Sequence, residues 1–198
     1  MQLTDEQKDK NKTIFFSKLN QIVGENNLES EIGDALLNAT YSFNSVPQLV
    51  GDGTLLNTIL RKLTPTALSI NESLPESIRV DKNVIIKICL LSHIAKAIRI
   101  IPNDNEWEIS KRGIFYKYDN SLPAIKTGLH SLILAQQAGI NFTAEEAEAM
   151  TIADRDFSDE QARYYSSMLS NVIRIANELV YISETEINKK ANETTTNE

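Results

Sequence analysis

Apolar residues recur at three- and four-residue intervals along most of this chain, the spacing that puts them on one face of a helix. Thr4-Asp5-Glu6-Gln7 has the form of a capping box and predicts an amphipathic helix to about Val23, with Ile14, Phe15, Leu19 and Ile22 on one face. Gly24 and Asn26-Asn27 interrupt it. Leu28 to Tyr41 offers a second helix through Ile32, Leu36 and Leu37. Ser45 to Gly53, with Pro47, predicts a loop, and Leu55 to Leu63 a third helix that Thr64-Pro65 ends or kinks. Asp81 caps the next segment, where Val84, Ile85, Ile88, Leu91, Ile94, Ala95 and Ile98 leave little polar surface before Pro102; this helix is expected at the centre.

The period changes once. Trp107-Glu108-Ile109 and Ile114 to Tyr118 alternate around Ser110-Lys111-Arg112-Gly113, which predicts a small β-hairpin. Helical spacing then returns through Ile125, Leu129, Leu132, Ile133 and Leu134 and stops at Gly139. Thr143-Ala144-Glu145-Glu146 forms a second capping box and Ser158-Asp159-Glu160-Gln161 a third. The third opens a long helix to about Ile182, with Tyr165, Met168, Leu169, Val172, Ile173, Ala176, Leu179 and Val180 on its packing face. The expected fold is all-α: about seven helices and one hairpin in a single domain over residues 1–184, with residues 185–198 a polar flexible tail.

Composition narrows the function. Of 198 residues, 41% are apolar, enough for a sizeable core, and the net charge is -7. An acidic surface repels phosphate backbones and anionic membranes, so neither is an expected partner. No apolar run approaches the roughly 18 residues of a membrane span. Met1 to Gln21 is polar rather than continuously apolar, so no secretory leader is expected and a cytoplasmic location follows. The single cysteine, Cys89, sits in an apolar run and reads as a buried small hydrophobe.

Candidate chemistry is sparse. The two histidines are His93 and His130. Asp154-Arg155-Asp156-Phe157-Ser158-Asp159-Glu160 is densely acidic but lacks the glycine turn and the downstream glutamate of a calcium loop, so its carboxylates read as partners of a helix N-terminus. Glu145, Glu146 and Glu148 read the same way. Trp107, Phe115, Tyr116 and Tyr118 beside Lys111 and Arg112 match the residue types of interface hot spots, or alternatively lid the core.

Leu90-Leu91-Ser92-His93-Ile94-Ala95-Lys96-Ala97, the hairpin with Trp107, Gly113 and Phe115-Tyr116, then Leu122, Gly128 and Ser131, and Thr143 to Ala147 together resemble the HD-domain superfamily, in its small phage and prophage forms, over about Asn38 to Glu184. In that family a histidine stands where Asn57 falls. Its His-Asp pair falls on Ser92 and His93. Further histidines fall near Thr127 and Ala153, and the closing aspartate falls on Asn177 in Ile175-Ala176-Asn177. The resemblance therefore implies an HD-like scaffold whose metal ligands are replaced, with no metal and no other cofactor. It implies a non-catalytic protein acting as an interaction or structural component, phage-encoded and associated with a virion or its assembly, in the host cytoplasm or the virion. Its partner would be another protein or a homo-oligomer. The alternative is a phosphohydrolase of nucleotides or other phosphoesters, with a rearranged metal site drawn from His93, Asp154, Asp156 and Asn177. A third reading keeps the pocket without turnover, with Lys96 and Arg99 holding an anion.

Overall fold

The computed structural model describes residues 3–41, 54–153 and 166–195, with side chains as far as Ile187. The elements in chain order are α1 (Asp5–Val23), α2 (Leu28–Asn38), α3 (Leu55–Thr58), a π-helical turn (Ile59–Leu63), α4 (Thr64–Ser73), a 3-10 turn (Glu76–Ile78), α5 (Lys82–Leu91), α6 (Lys96–Arg99), β1 (Ile100–Pro102), α7 (Glu106–Arg112), β2 (Tyr116–Tyr118), α8 (Thr127–Gln137), α9 (Ala144–Ile152) and α10 (Met168–Thr195). The fold is all-α with one small antiparallel strand pair.

The caps read from the sequence are in place. Gln7 N–H donates to Thr4 Oγ1 at 3.3 Å and Thr4 N–H to Gln7 Oε1 at 2.9 Å. Thr143 and Glu146 repeat the arrangement at α9. Asp81 accepts from the amides of Asn83 and Val84. These bonds satisfy donors that a helix start otherwise leaves orphaned. Helix α5 packs against α1, α4, α8, α9 and α10 and is the axis of the molecule. Ile85, Ile88, Leu90 and Leu91 are fully buried on it, each contributing about 1.5–3 kcal/mol by transfer from water. Helix α8 crosses α9 backbone against backbone: a Cβ at Gly128 would lie 2.2 Å from Met150 O, so only glycine permits the approach.

Five expectations are corrected. The central helix does not run to Pro102. It stops at Leu91, a tight turn spans 92–95, and α6 and β1 follow. Pro65 does not end its helix. Thr64 N–H reaches back five residues to Ile59 O, and this wider π turn lets Pro65 open α4, where its missing N–H costs nothing. Trp107-Glu108-Ile109 is helical rather than the first strand. Asn105 caps α7 by accepting from Trp107 and Glu108 amides, Lys111 and Arg112 suit its last turn, and Gly113 closes it at φ 64° in the left-handed region. The strand that pairs with Tyr116–Tyr118 is Ile100–Pro102, with Ile100 opposite Tyr118 and Pro102 opposite Tyr116.

The other two corrections concern α10. Backbone helix continues to Thr195, where a flexible tail was expected from residue 185. Lys189, Lys190 and Ala191 are good helix formers. On the packing face, Leu169, Val172, Ile173, Ala176 and Val180 are buried as expected, but Met168 and Leu179 face solvent. The third capping box and the loop through residues 45–53 lie outside the described residues.

Candidate functional site

A hydrogen bond diverted from the main chain builds the candidate site. Ser92 N–H closes the last turn of α5 on Ile88 O. Ala95 N–H then donates to Ser131 Oγ on α8 at 3.0 Å instead of continuing the helical ladder. Three-residue bonds from Ile94 to Leu91 O and from Lys96 to His93 O tighten the turn. Both Ser92 and His93 are buried there, His93 to 1% exposure.

Two other elements meet His93. Asn177, on the inner face of α10, places Oδ1 2.8 Å from His93 Nε2. Asn177 Nδ2 donates to Ala153 O, at the end of α9, at 3.0 Å. The second bond orients the first. With its amide nitrogen committed to a carbonyl, Asn177 presents its oxygen to the imidazole, so Nε2 carries the hydrogen and donates. The result is a bonded chain, His93 to Asn177 to Ala153 O, joining the turn after α5 to α10 and the end of α9 under the surface. Ser92 Oγ lies beside it, buried and without a hydrogen-bond partner among the described residues.

Three of the six positions singled out by the resemblance, 93, 153 and 177, are thus brought together by direct bonds. Asn57 is directed elsewhere: its Oδ1 accepts from Asn11 on α1 at 3.5 Å and its amide donates to Thr54. Thr127 is the first residue of α8, partly exposed. The set at 57, 92, 93, 127, 153 and 177 offers one imidazole, two amides, two hydroxyls and a methyl, with no carboxylate. It does not fit the metal of the HD family, whose cation needs carboxylate and several imidazole ligands. Among the described residues no group of three or more His, Cys, Asp and Glu lies where it could hold a metal ion. Asp154 and Asp156 lie outside the described residues.

The remaining candidates separate. Arg99 Nη1 donates to Pro123 O at 3.1 Å and faces His130 Nδ1 at 3.3 Å. Because a guanidinium can only donate, Nδ1 of His130 accepts. Partial burial and then the Arg99 charge hold the His130 pKa below its ordinary value. The Lys96 carbonyl accepts the Tyr41 hydroxyl. Tyr116 stacks edge-on against Tyr41 with ring centres 5.3 Å apart and bonds Thr40, so it serves the interior. Trp107, Phe115 and Tyr118 are exposed, Trp107 to 61%. Arg112 pairs with Glu108 at 3.5 Å on the exposed side of α7.

Two buried charged clusters were not read from the sequence. Lys87 Nζ donates to Glu146 Oε2 at 2.9 Å and to Asn141 O at 2.7 Å, and lies 4.6 Å from the centre of the Phe142 ring. The same Glu146 oxygen accepts from Thr143 N–H in the α9 cap. A lysine midway along an otherwise apolar helix was the available signal. Glu184, on α10, accepts from Thr58 Oγ1 at 3.4 Å and Lys62 Nζ at 3.2 Å, tying α10 to the π-helical turn. No described helix is long and apolar enough to cross a membrane. No family model matches the chain, and neither a curated protein nor a solved structure matches it.

Proposed function

We propose that this chain is a non-catalytic protein built on an HD-like helical scaffold and that it acts as an interaction or structural component. One observation carries the reading: the bonded chain from His93 through Asn177 to Ala153 O. It joins three positions where the resemblance expects metal ligands, and it does so with an imidazole, an amide and a main-chain carbonyl. A metal ligand of this kind is oriented by a carboxylate, whereas the Nε2 hydrogen of His93 is held by the Asn177 amide oxygen at 2.8 Å. What remains is a polar tie between three helices. The exposed apolar side chains of α7, β2 and α10 supply the kind of surface on which a partner is recognised.

The test is metal retention and phosphoester hydrolysis. Protein purified without chelator and incubated in turn with manganese, iron, nickel and zinc should hold no stoichiometric metal by mass spectrometry. It should also leave bis(p-nitrophenyl) phosphate intact. One metal per chain, lost on His93→Ala or on Asp154→Asn with Asp156→Asn, would overturn the reading in favour of a phosphohydrolase.

A further inference from the structure

The apolar period of α5 continues past the point where the helix stops. Val84, Ile88, Leu91, Ala95 and Ile98 are separated by four, three, four and three residues, one helical stripe through the break. No Gly or Pro lies between Asp81 and Pro102, and Ala95, Lys96, Ala97 and Arg99 are good helix formers. Local sequence therefore favours one helix from Lys82 to Arg99. The fold holds the segment otherwise. The bonds from Ile94 to Leu91 O, Lys96 to His93 O, Ala97 to Ile94 O and Ile98 to Ala95 O each span three residues. Ser92 at φ -62° and ψ -20°, and Ala95 at φ -62° and ψ -22°, have the matching 3-10 dihedrals. Three-residue bonds have poorer geometry than α-helical ones, and such a stretch inside a helical run marks a hinge or an imposed conformation.

Two side chains from elsewhere impose it. Ser131 Oγ takes, at 3.0 Å, the Ala95 N–H that Leu91 O would accept in a continuous helix. The Tyr41 hydroxyl, just after α2, fixes where the Lys96 carbonyl points. Rewinding sacrifices no main-chain bond: each three-residue bond gives way to a four-residue one, and Ala95 N–H exchanges Ser131 Oγ for Leu91 O. Two arrangements of similar energy are the requirement for a two-state element. Over about four residues, passing from 3-10 to α geometry shortens the segment by about 2 Å and turns its far end by about 80°. Strand β1 begins at Ile100, directly after α6, and β2 is bonded to it. We propose that residues 92–99 are a two-state hinge, clamped in 3-10 form by Ser131 and Tyr41, whose rewinding into one continuous helix displaces the β1–β2 pair from the helical body. In the clamped state the Arg99 bond to Pro123 O and the Tyr116–Thr40 hydroxyl contact hold that pair down. The hinge operates whether or not the chain is catalytic.

Backbone NMR on the full chain tests it. In the wild type, nitrogen relaxation dispersion should show exchange at residues 94–100 and 116–118 with one shared rate, in the μs–ms range of such motions. Ser131→Ala removes the first clamp and should raise the minor population at least fivefold. The Cα shifts of residues 94–98 should then move towards α-helical values, while the Ala95 amide stays protected from hydrogen exchange because Leu91 O replaces the lost acceptor. Tyr41→Phe keeps the ring against Tyr116 and should act in the same direction, which preserves the test if Ser131→Ala does not fold. An Ala95 amide that exchanges tenfold faster in Ser131→Ala, with unchanged Cα shifts, would make the break a fixed turn and overturn the proposal. Separate rates for the two groups of residues would overturn the coupling to the strand pair. No dispersion in the wild type or in either variant would overturn the hinge itself.

Discussion

Helix α5 and the turn that follows it carry two buried polar clusters built on opposite principles. At Lys87 an ammonium is buried with a carboxylate, a carbonyl and a ring face around it. Directly past the end of the helix, at Ser92-His93, the imidazole meets an amide. The first cluster joins α5 to the α9 cap and the residues just before it. The second joins α5 to the far end of α9 and to α10. The difference teaches what a buried charge requires. Lys87 is tolerated because a carboxylate, a carbonyl and a ring face offset its desolvation, whereas His93 is held through an amide that a main-chain carbonyl orients.

The comparison predicts unequal penalties. Lys87→Met leaves Glu146 buried without its counter-charge, and urea unfolding should register a loss of about 3–5 kcal/mol. Adding Glu146→Gln should return a large part of it, since the amide needs no counter-ion and can still accept from Thr143 N–H. A loss under about 1 kcal/mol, the value of an exposed pair, would mean that water reaches the lysine and that the contrast fails.

Asn177→Leu is the matching change at the His93 cluster. It orphans His93 Nε2–H and Ala153 O together, and each buried unpaired group costs about 1–3 kcal/mol. The loss should approach that of Lys87→Met only if both groups stay dry. His93→Leu made on top of it should recover stability, because it removes one of the two orphans. Ser92→Ala runs the other way. The hydroxyl is buried without a partner among the described residues, so its removal should be neutral or stabilising by up to about 1 kcal/mol. A clear loss would reveal a partner in residues 154–165.

The parts of this molecule that were legible from sequence are those decided locally. The Thr4, Asp81 and Thr143 caps each depend on atoms within three residues, and the apolar spacing of α1, α5 and α8 depends on their own turns. The break at Ser92-His93 was not legible, because its cause, Ser131 Oγ, is thirty-six residues away. At α7 the local signals were present, Asn105 before the helix and Gly113 after it, but alternating aromatic residues gave a strand pattern over the same span. On α10 the period could not choose a packing face, since Met168 and Leu179 fit the apolar pattern as well as Leu169 and Val180 do. Of the site, neither the bonds that join 93, 153 and 177 nor the direction of Asn57 towards Asn11 was legible, because each depends on how helices distant in sequence pack. The Lys87–Glu146 pair was hidden because a lysine's partner fifty-nine residues on leaves no mark beside it.

The two histidines sharpen the comparison at its smallest scale. His93 faces an amide, while His130 faces the Arg99 guanidinium at 3.3 Å. The only other described polar group on that guanidinium is the Pro123 carbonyl, so no carboxylate offsets its charge among the described bonds. Burial and this neighbouring charge both disfavour imidazolium, so the folded His130 pKa lies below the ordinary value of 6.5. The unfolded chain therefore binds more protons than the folded one between the two values. Stability contributed by keeping this ring neutral is present above 6.5 and is lost as pH falls through that window, the penalty being complete once the folded histidine also titrates. His130→Gln removes the titration, so the gap between wild type and variant in urea midpoint should shift towards the variant from pH 7.5 to pH 5. The shift should be the smallest effect of the series, because the ring is partly in solvent and salt screens its neighbour. Adding Arg99→Gln should abolish most of the pH difference if the guanidinium matters, and leave it intact if burial alone depresses the pKa.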